Sequence, residues 1–181
     1  MFKFNFLLEY FRSLSKQRDT TMTQITKNFS MAELTRSNTA ERLGIDNTPE
    51  GEHLTNLVYT VESILQPVRD HFDKPVTVNS GYRSPELNQA VGGSSKSQHC
   101  HGQAVDFEII GIPNAEVAQW IIDNLEYDQI ILEFYNPKEG VNSGWVHCSI
   151  KIDGDNRKQK LIAYKDGKST RYANVTSFEG Y

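Results

Sequence analysis

Between Leu54 and Phe72, eight apolar residues (Leu54, Leu57, Val58, Val61, Ile64, Leu65, Val68 and Phe72) recur at spacings of three and four. That period lays them along one face of an α-helix. A helix with so wide an apolar stripe is stable only when the stripe is buried against another layer. The remaining segments supply that layer. Pro75-Val76-Thr77-Val78-Asn79 is short and β-branched, and reads as a strand ending at Ser80-Gly81. Ala104–Ile109, Gln129–Phe134 and Trp145–Ile152 read as further strands, with Leu161–Tyr164 as an edge strand. Ser84-Pro85 caps a short helix running through Ala90, and Asn114–Leu125 forms another, with Val117, Trp120, Ile121 and Leu125 turned inward. Strands interspersed with helices through short connections predict an α+β fold. The expected architecture is a single domain, one antiparallel-rich sheet with helices on one face.

At 181 residues the chain can bury one real core but not two. Ser30-Met31-Ala32-Glu33 has the form of a capping box, so a short helix is expected over Met31–Arg36. Thr48-Pro49 reads as an N-cap with proline at the first helical position, and Pro67 should kink or shorten the main helix. Residues 1–28 read as a weakly ordered extension, residues 29–168 as the folded domain and 169–181 as a tail. The apolar run at the N-terminus is broken by Glu9 and Arg12, with no small-residue cleavage site after it, so no signal peptide is recognised. No stretch approaches the ~20 apolar residues of a membrane span. A net charge of −4 disfavours nucleic acid and anionic membranes as partners, and the locally basic segment from Arg157 to Arg171 reads as a solvated face. Two isolated cysteines, Cys100 and Cys148, do not make a disulfide framework and are expected as reduced thiols.

The chemistry concentrates in Ser97-Gln98-His99-Cys100-His101-Gly102-Gln103-Ala104-Val105-Asp106 and in Trp145-Val146-His147. A turn at Gly102 followed by a strand would let His99 and Asp106 point into one pocket. His147 faces opposite to Val146 and Cys148. A lone histidine on a strand is more often a buried, hydrogen-bonded residue than a ligand; the combination of two imidazoles with a carboxylate is what points to metal. Catalytic zinc typically keeps three protein N/O ligands and one open position. His99, Asp106 and His147 are such a set, with Cys100 and His101 as neighbouring competitors, and the pattern suggests a metallohydrolase.

Ser97-Gln98-His99…Gly102…Ala104…Asp106 matches S-x-H-x-x-G-x-A-x-D, Ser80-Gly81-Tyr82-Arg83-Ser84 matches S-G-Y-R-S, and Trp145-Val146-His147 matches W-x-H. Three separated motifs, in the chain order Ser80–Ser84, Ser97–Asp106 and Trp145–His147, resemble those of the M15 zinc peptidases, the D-alanyl-D-alanine carboxypeptidase and L-alanyl-D-glutamate endopeptidase group. The resemblance covers roughly residues 29–152 and is nearest to short, phage-associated members. It implies a hedgehog/DD-peptidase-like fold and a Zn2+ ion held by His99, Asp106 and His147. Arg83 would hold a substrate carboxylate or the oxyanion, and Tyr82, Ser97 and Trp145 would line the substrate groove, with Ser97 and Gln98 orienting His99. Many relatives carry the catalytic acid three residues before the last histidine; here that position is Gly144. Glu133, between Leu132 and Phe134, is the favoured replacement, with His101 second; an outward-facing strand residue is the competing reading of Glu133. The resemblance further implies a monomer that hydrolyses peptidoglycan stem peptides as a phage lysin. Such a protein would reside in the host cytoplasm before lysis, or with the virion, and act on the cell wall. The alternative is a non-catalytic, zinc-containing wall-binding or virion module on the same fold.

Overall fold

The computed structural model describes residues 23–181. The expectations for the first 22 positions lie outside the described residues. Residues 23–28, expected to belong to a loose extension, are packed: Gln24 bridges Ser30, and Ile25 and Phe29 are buried in the main core. The capping box forms, with the Ser30 amide donating to the Glu33 carboxylate at 2.8 Å ahead of α1 (Met31–Thr35). A second short helix, α2 (Asn38–Leu43), follows.

The long apolar stripe is helical from end to end. It comprises α3 (Gly51–Thr60), a π-helical turn (Val61–Leu65) and α4 (Gln66–Phe72). Pro67 does not end it. Proline at 67 has no N–H to give to the preceding turn, and the wide π turn immediately before it takes up the mismatch. The helix start differs from expectation too. Its N-cap is Glu50 rather than Thr48, whose amide instead binds the Asp46 carboxylate at 2.9 Å.

Six strands form one sheet in the order β1-β2-β4-β3-β5-β6: β1 (Val76–Ser80), β2 (Ala104–Ile109), β3 (Gln129–Glu133), β4 (Trp145–Ser149), β5 (Gln159–Asp166) and β6 (Ser169–Asn174). All pairings are antiparallel except β3 with β5. Between them lie α5 (Pro85–Ala90), which Ser84 caps by accepting from the Leu87 amide at 3.3 Å, a 3-10 turn (Gln98–His101), and α6 (Asn114–Asn124). The expected α+β fold with an antiparallel-rich sheet is therefore the observed one. Two local corrections apply. Leu161–Tyr164 is not an edge but part of an interior strand, and the stretch from Ser169 supplies the true edge, β6. Phe178 beyond it is 1% exposed in the main core, so folding extends past residue 168.

Strand alternation sorts the sheet into two faces. Val105, Phe107 and Ile109 of β2, Ile130 and Leu132 of β3, and Val146 and Cys148 of β4 pack with Leu57, Val58, Val61, Ile64, Val117 and Ile121 of the helices. The residues between them, Asp106, Ile131, Glu133 and His147, point away from the helices. That second face holds the small apolar cluster of Ile131, Leu161 and Ala163. One layer makes the core and the opposite face is left for chemistry.

Candidate metal centre

Register brings the polar residues together. Asp106 lies opposite His147 across β2–β4, and Ile131 lies opposite His147 across β4–β3, so Glu133 sits beside Trp145 one step along the same face. A register shift between Val78 and Ser80 of β1 sets Ser80 opposite Asp106. His99 arrives from the 3-10 turn ahead of β2. That turn closes at Gly102 (φ +68), whose Cβ position would collide with the His53 carbonyl oxygen on α3; only glycine fits so close an approach. The Gly102 carbonyl accepts from Thr60 Oγ1 at 2.9 Å, fastening the turn to the long helix.

His99, Asp106 and His147 present donor atoms that all lie within 4.8 Å of one another. His99 Nε2 is 3.2 Å from Asp106 Oδ2, and His147 Nδ1 is 2.8 Å from Asp106 Oδ1. All three side chains are buried, at 3%, 6% and 7% exposure. The other ring nitrogen of His99, Nδ1, donates to the Gly81 carbonyl at 2.7 Å, which fixes the tautomer and aims an Nε2 lone pair into the cluster. Burial lowers the His99 pKa, keeping the imidazole neutral as a ligand must be. Burial works the other way on Asp106, but His99 and His147 beside it outweigh that and hold the carboxyl well below the ordinary range. Two imidazoles and an ionised carboxylate at this spacing are a donor set that fits zinc.

Arg83 donates from Nη2 to Asp106 Oδ2 and from Nε to Ser80 Oγ, both at 2.8 Å. Its first task is to orient the Asp106 carboxylate, leaving Nη1 without a partner among the described residues. Glu133 and Trp145 line the same cleft as the three ligands, a space of about 770 Å³ that Ser97 also borders. Glu133 is half-buried, and burial together with the Asp106 charge raises its pKa above the usual carboxylate value. Trp145 stacks edgewise on Phe134 at 5.4 Å, and its indole N–H is buried without a partner.

Two expected site residues lie elsewhere. Tyr82 is buried in the main core behind the sheet, with its hydroxyl 3.5 Å from His53 Nδ1 and its carbonyl accepting from Asn47. It follows Gly81 at the strand end and so turns inward rather than towards the cleft. His101 faces His53, outside the cleft lining, and Cys100 and Cys148 are both free.

Gln98, expected to orient His99, belongs instead to a polar framework whose other members sequence reasoning missed; the Gly81 carbonyl orients the imidazole. Asp128 is fully buried; it accepts from Gln98 Nε2 at 2.9 Å and from Arg157 Nε and Nη2. Gln98 Oε1 in turn accepts from Ser149 Oγ at 2.9 Å. Burial alone would push the Asp128 carboxyl up, but the Arg157 and Gln98 hydrogen bonds bring it down to about 2. Nothing in the spacing of 98, 128 and 157 advertises this pairing. Leu161 and Tyr172 also line the cleft, from strands late in the chain.

The family model for Peptidase M15 matches residues 27–149. Over 80 residues the sequence is 40% identical to the zinc D-Ala-D-Ala carboxypeptidase of Streptomyces albus G. That alignment takes in 44% of this chain and 30% of the relative, so the two share well under half of their lengths. Among the described residues, no helix is long and apolar enough to cross a membrane.

Proposed function

The chain belongs to the peptidase M15 family, and from that premise we propose that it is a zinc-dependent peptidase cutting the stem peptides of peptidoglycan. The observation that carries this reading is the His99–Asp106–His147 cluster opening into a cleft that also holds a carboxylate of raised pKa, Glu133. The streptomycete relative, by its name, cuts a D-Ala-D-Ala bond, which supports the same substrate class here.

Zinc held by His99, Asp106 and His147 supplies Lewis acidity to the scissile carbonyl and makes the attacking water easier to deprotonate. The chain's own groups do the rest. His99 stays neutral and Asp106 stays ionised, the first oriented by the Gly81 carbonyl and the second by Arg83. Glu133 takes the proton of the attacking water and delivers it to the departing amine; a raised pKa suits a group that must both accept and release a proton. Arg83 Nη1 faces the substrate as a permanent cation, able to bind a carboxylate or a developing oxyanion. With an acid in the cleft, the loss of one at position 144 does not by itself argue for a non-catalytic module.

The test is digestion of purified peptidoglycan by zinc-loaded protein, with the soluble products identified by mass. Released D-alanine marks carboxypeptidase cleavage, and a new N-terminal D-glutamyl group marks endopeptidase cleavage. Neither product, or product formation unaffected by chelation and by His147→Ala, overturns the reading.

A further inference from the structure

The metal centre occupies one end of the cleft. The acidic lining residues, Asp106 and Glu133, lie opposite His147 and Trp145, whereas Lys151 follows Ser149 in the other direction along the strand; with Lys96 and Arg157 it completes a lining that has no further acid. In a chain of net charge −4, such a one-signed lobe does not follow from composition. The buried Asp128 is the carboxylate paired with Lys151 and Arg157 among the described residues, and it is committed behind the lobe. It binds Arg157 at 2.5 and 3.0 Å and lies 3.5 Å from Lys151 Nζ. The Lys96 ammonium has no partner among the described residues, and Lys151 otherwise holds only the Asp155 carbonyl at 2.9 Å. The Asp128 and Gln98 bonds hold the Arg157 guanidinium in place before any ligand arrives, which lowers the entropy lost on binding.

Spacing fixes what this lobe can reach. His147, Ser149 and Lys151 share one face of a continuous run, and the β2–β4 ladder continues past Ser149 through Ile150 N–H to the Gln103 carbonyl at 3.0 Å. Four residues at ~3.3 Å each separate Lys151 from His147 by about 13 Å, the length of about four residues of extended peptide.

We propose that Lys96, Lys151 and Arg157 form a carboxylate-binding subsite. It reads an acidic group on the substrate three to four residues from the scissile bond, separately from any carboxylate held by Arg83. The subsite deepens the peptidase reading and rests on it for the placement of the peptide. In cleavage of the terminal D-Ala-D-Ala bond, where the glutamyl residue is the third from the scissile bond, it makes the enzyme selective for stem peptides whose glutamyl α-carboxyl is free over those in which it is amidated.

The experiment titrates two synthetic pentapeptides, L-Ala-γ-D-Glu-L-Lys-D-Ala-D-Ala with the glutamyl α-carboxyl free or as its carboxamide, into the zinc-loaded Glu133→Gln protein, which leaves them uncut. Amidation is expected to weaken Kd about tenfold, the effect of losing one charge-assisted contact. Adding Lys96→Gln and Lys151→Gln should weaken binding of the free acid by a similar factor and leave the carboxamide unchanged. Equal binding of the two peptides, an equal loss for both in the substituted protein, or no binding of either overturns the subsite. The KM ratio of the unsubstituted enzyme on the two peptides repeats the measurement without any substitution. Discrimination in binding with no cleavage by the unsubstituted enzyme would remove the peptidase reading and leave the subsite standing. Cleavage without discrimination would do the reverse.

Discussion

The carbonyl oxygen of Glu133 occupies the space into which a side chain at Gly144 would project. Gly144 has φ +65, and a Cβ built there also comes within 2.7 Å of the Phe134 carbonyl carbon and 2.8 Å of the Tyr135 amide. A residue with a side chain at 144 would have to adopt a left-handed conformation and push back the end of β3 at once. An acid three residues before the last histidine is therefore excluded by this backbone, and the carboxylate of the cleft comes from the neighbouring strand. We expect Gly144→Asp to destabilise the fold by at least about 2 kcal/mol, from backbone strain and the clash together. It should also fail to restore activity to Glu133→Gln. Urea midpoints measure the first effect and peptide hydrolysis the second; a stable, active Gly144→Asp/Glu133→Gln protein would show that the acid can return to position 144.

Glu133 is expected to set the acid limb of the pH–rate profile. The sign follows from its role: the base acts only when ionised, so kcat/KM falls as pH drops through the Glu133 pKa of the zinc-loaded enzyme. Glu133→Gln should lower kcat by ~10²–10⁴ with zinc content unchanged, and the acid limb should disappear from whatever activity remains. In the chelated protein the same substitution should raise Tm, because burial disfavours the charged carboxylate at neutral pH and an amide escapes that cost. An unaltered acid limb in the variant would assign it to another group.

Much of this was legible because it is local. The three- and four-residue spacing from Leu54 to Phe72 yields the core helix whatever lies against it. Alternation around Val146-His147-Cys148 places one histidine away from the core without knowledge of the neighbouring strand. What stayed hidden depends on partners far along the chain. Leu161–Tyr164 looks like an edge strand until β6 is found to pair with it, and the parallel pairing of that strand with β3 leaves no trace in either segment. Arg157 reads as one cation in a solvated run; only the folded chain sets it against Asp128. Tyr82 precedes Arg83, which lines the cleft, and only its turn after Gly81 carries it into the core.

Removal of the metal should be visible as lost stability as well as lost activity. A ligand that binds only the folded state adds about 4 kcal/mol when present at a thousand times its Kd. Chelation of the loaded protein should therefore lower Tm by several degrees, and zinc should restore it. In His147→Ala that zinc-dependent gain should vanish, since Asp106 and His99 alone leave the donor set incomplete. A zinc-dependent rise in Tm that survives the substitution would mean that the metal sits elsewhere.

Asp128 gives the fold a pH dependence of its own. Its carboxyl is held at about 2, below the ordinary value of 3.8, by Arg157 and Gln98. The charged form is thus favoured in the folded state. The stabilisation is complete above pH ~4 and is lost as pH falls towards 2, a total of about 2 kcal/mol at ~1.4 kcal/mol for each tenfold change in proton affinity. Asp128→Asn should reduce stability at pH 6 by up to about that amount, because the buried position keeps its hydrogen-bonding shape but the half-exposed Arg157 loses its charged partner. Subtracting the two proteins' unfolding free energies across pH 2–6 removes the contribution of the other acids. The difference should shrink as the medium becomes more acidic. A difference that stays constant over that range would show that Asp128 titrates alike in the folded and unfolded chains, and that its bonds to Arg157 and Gln98 add nothing that depends on its charge.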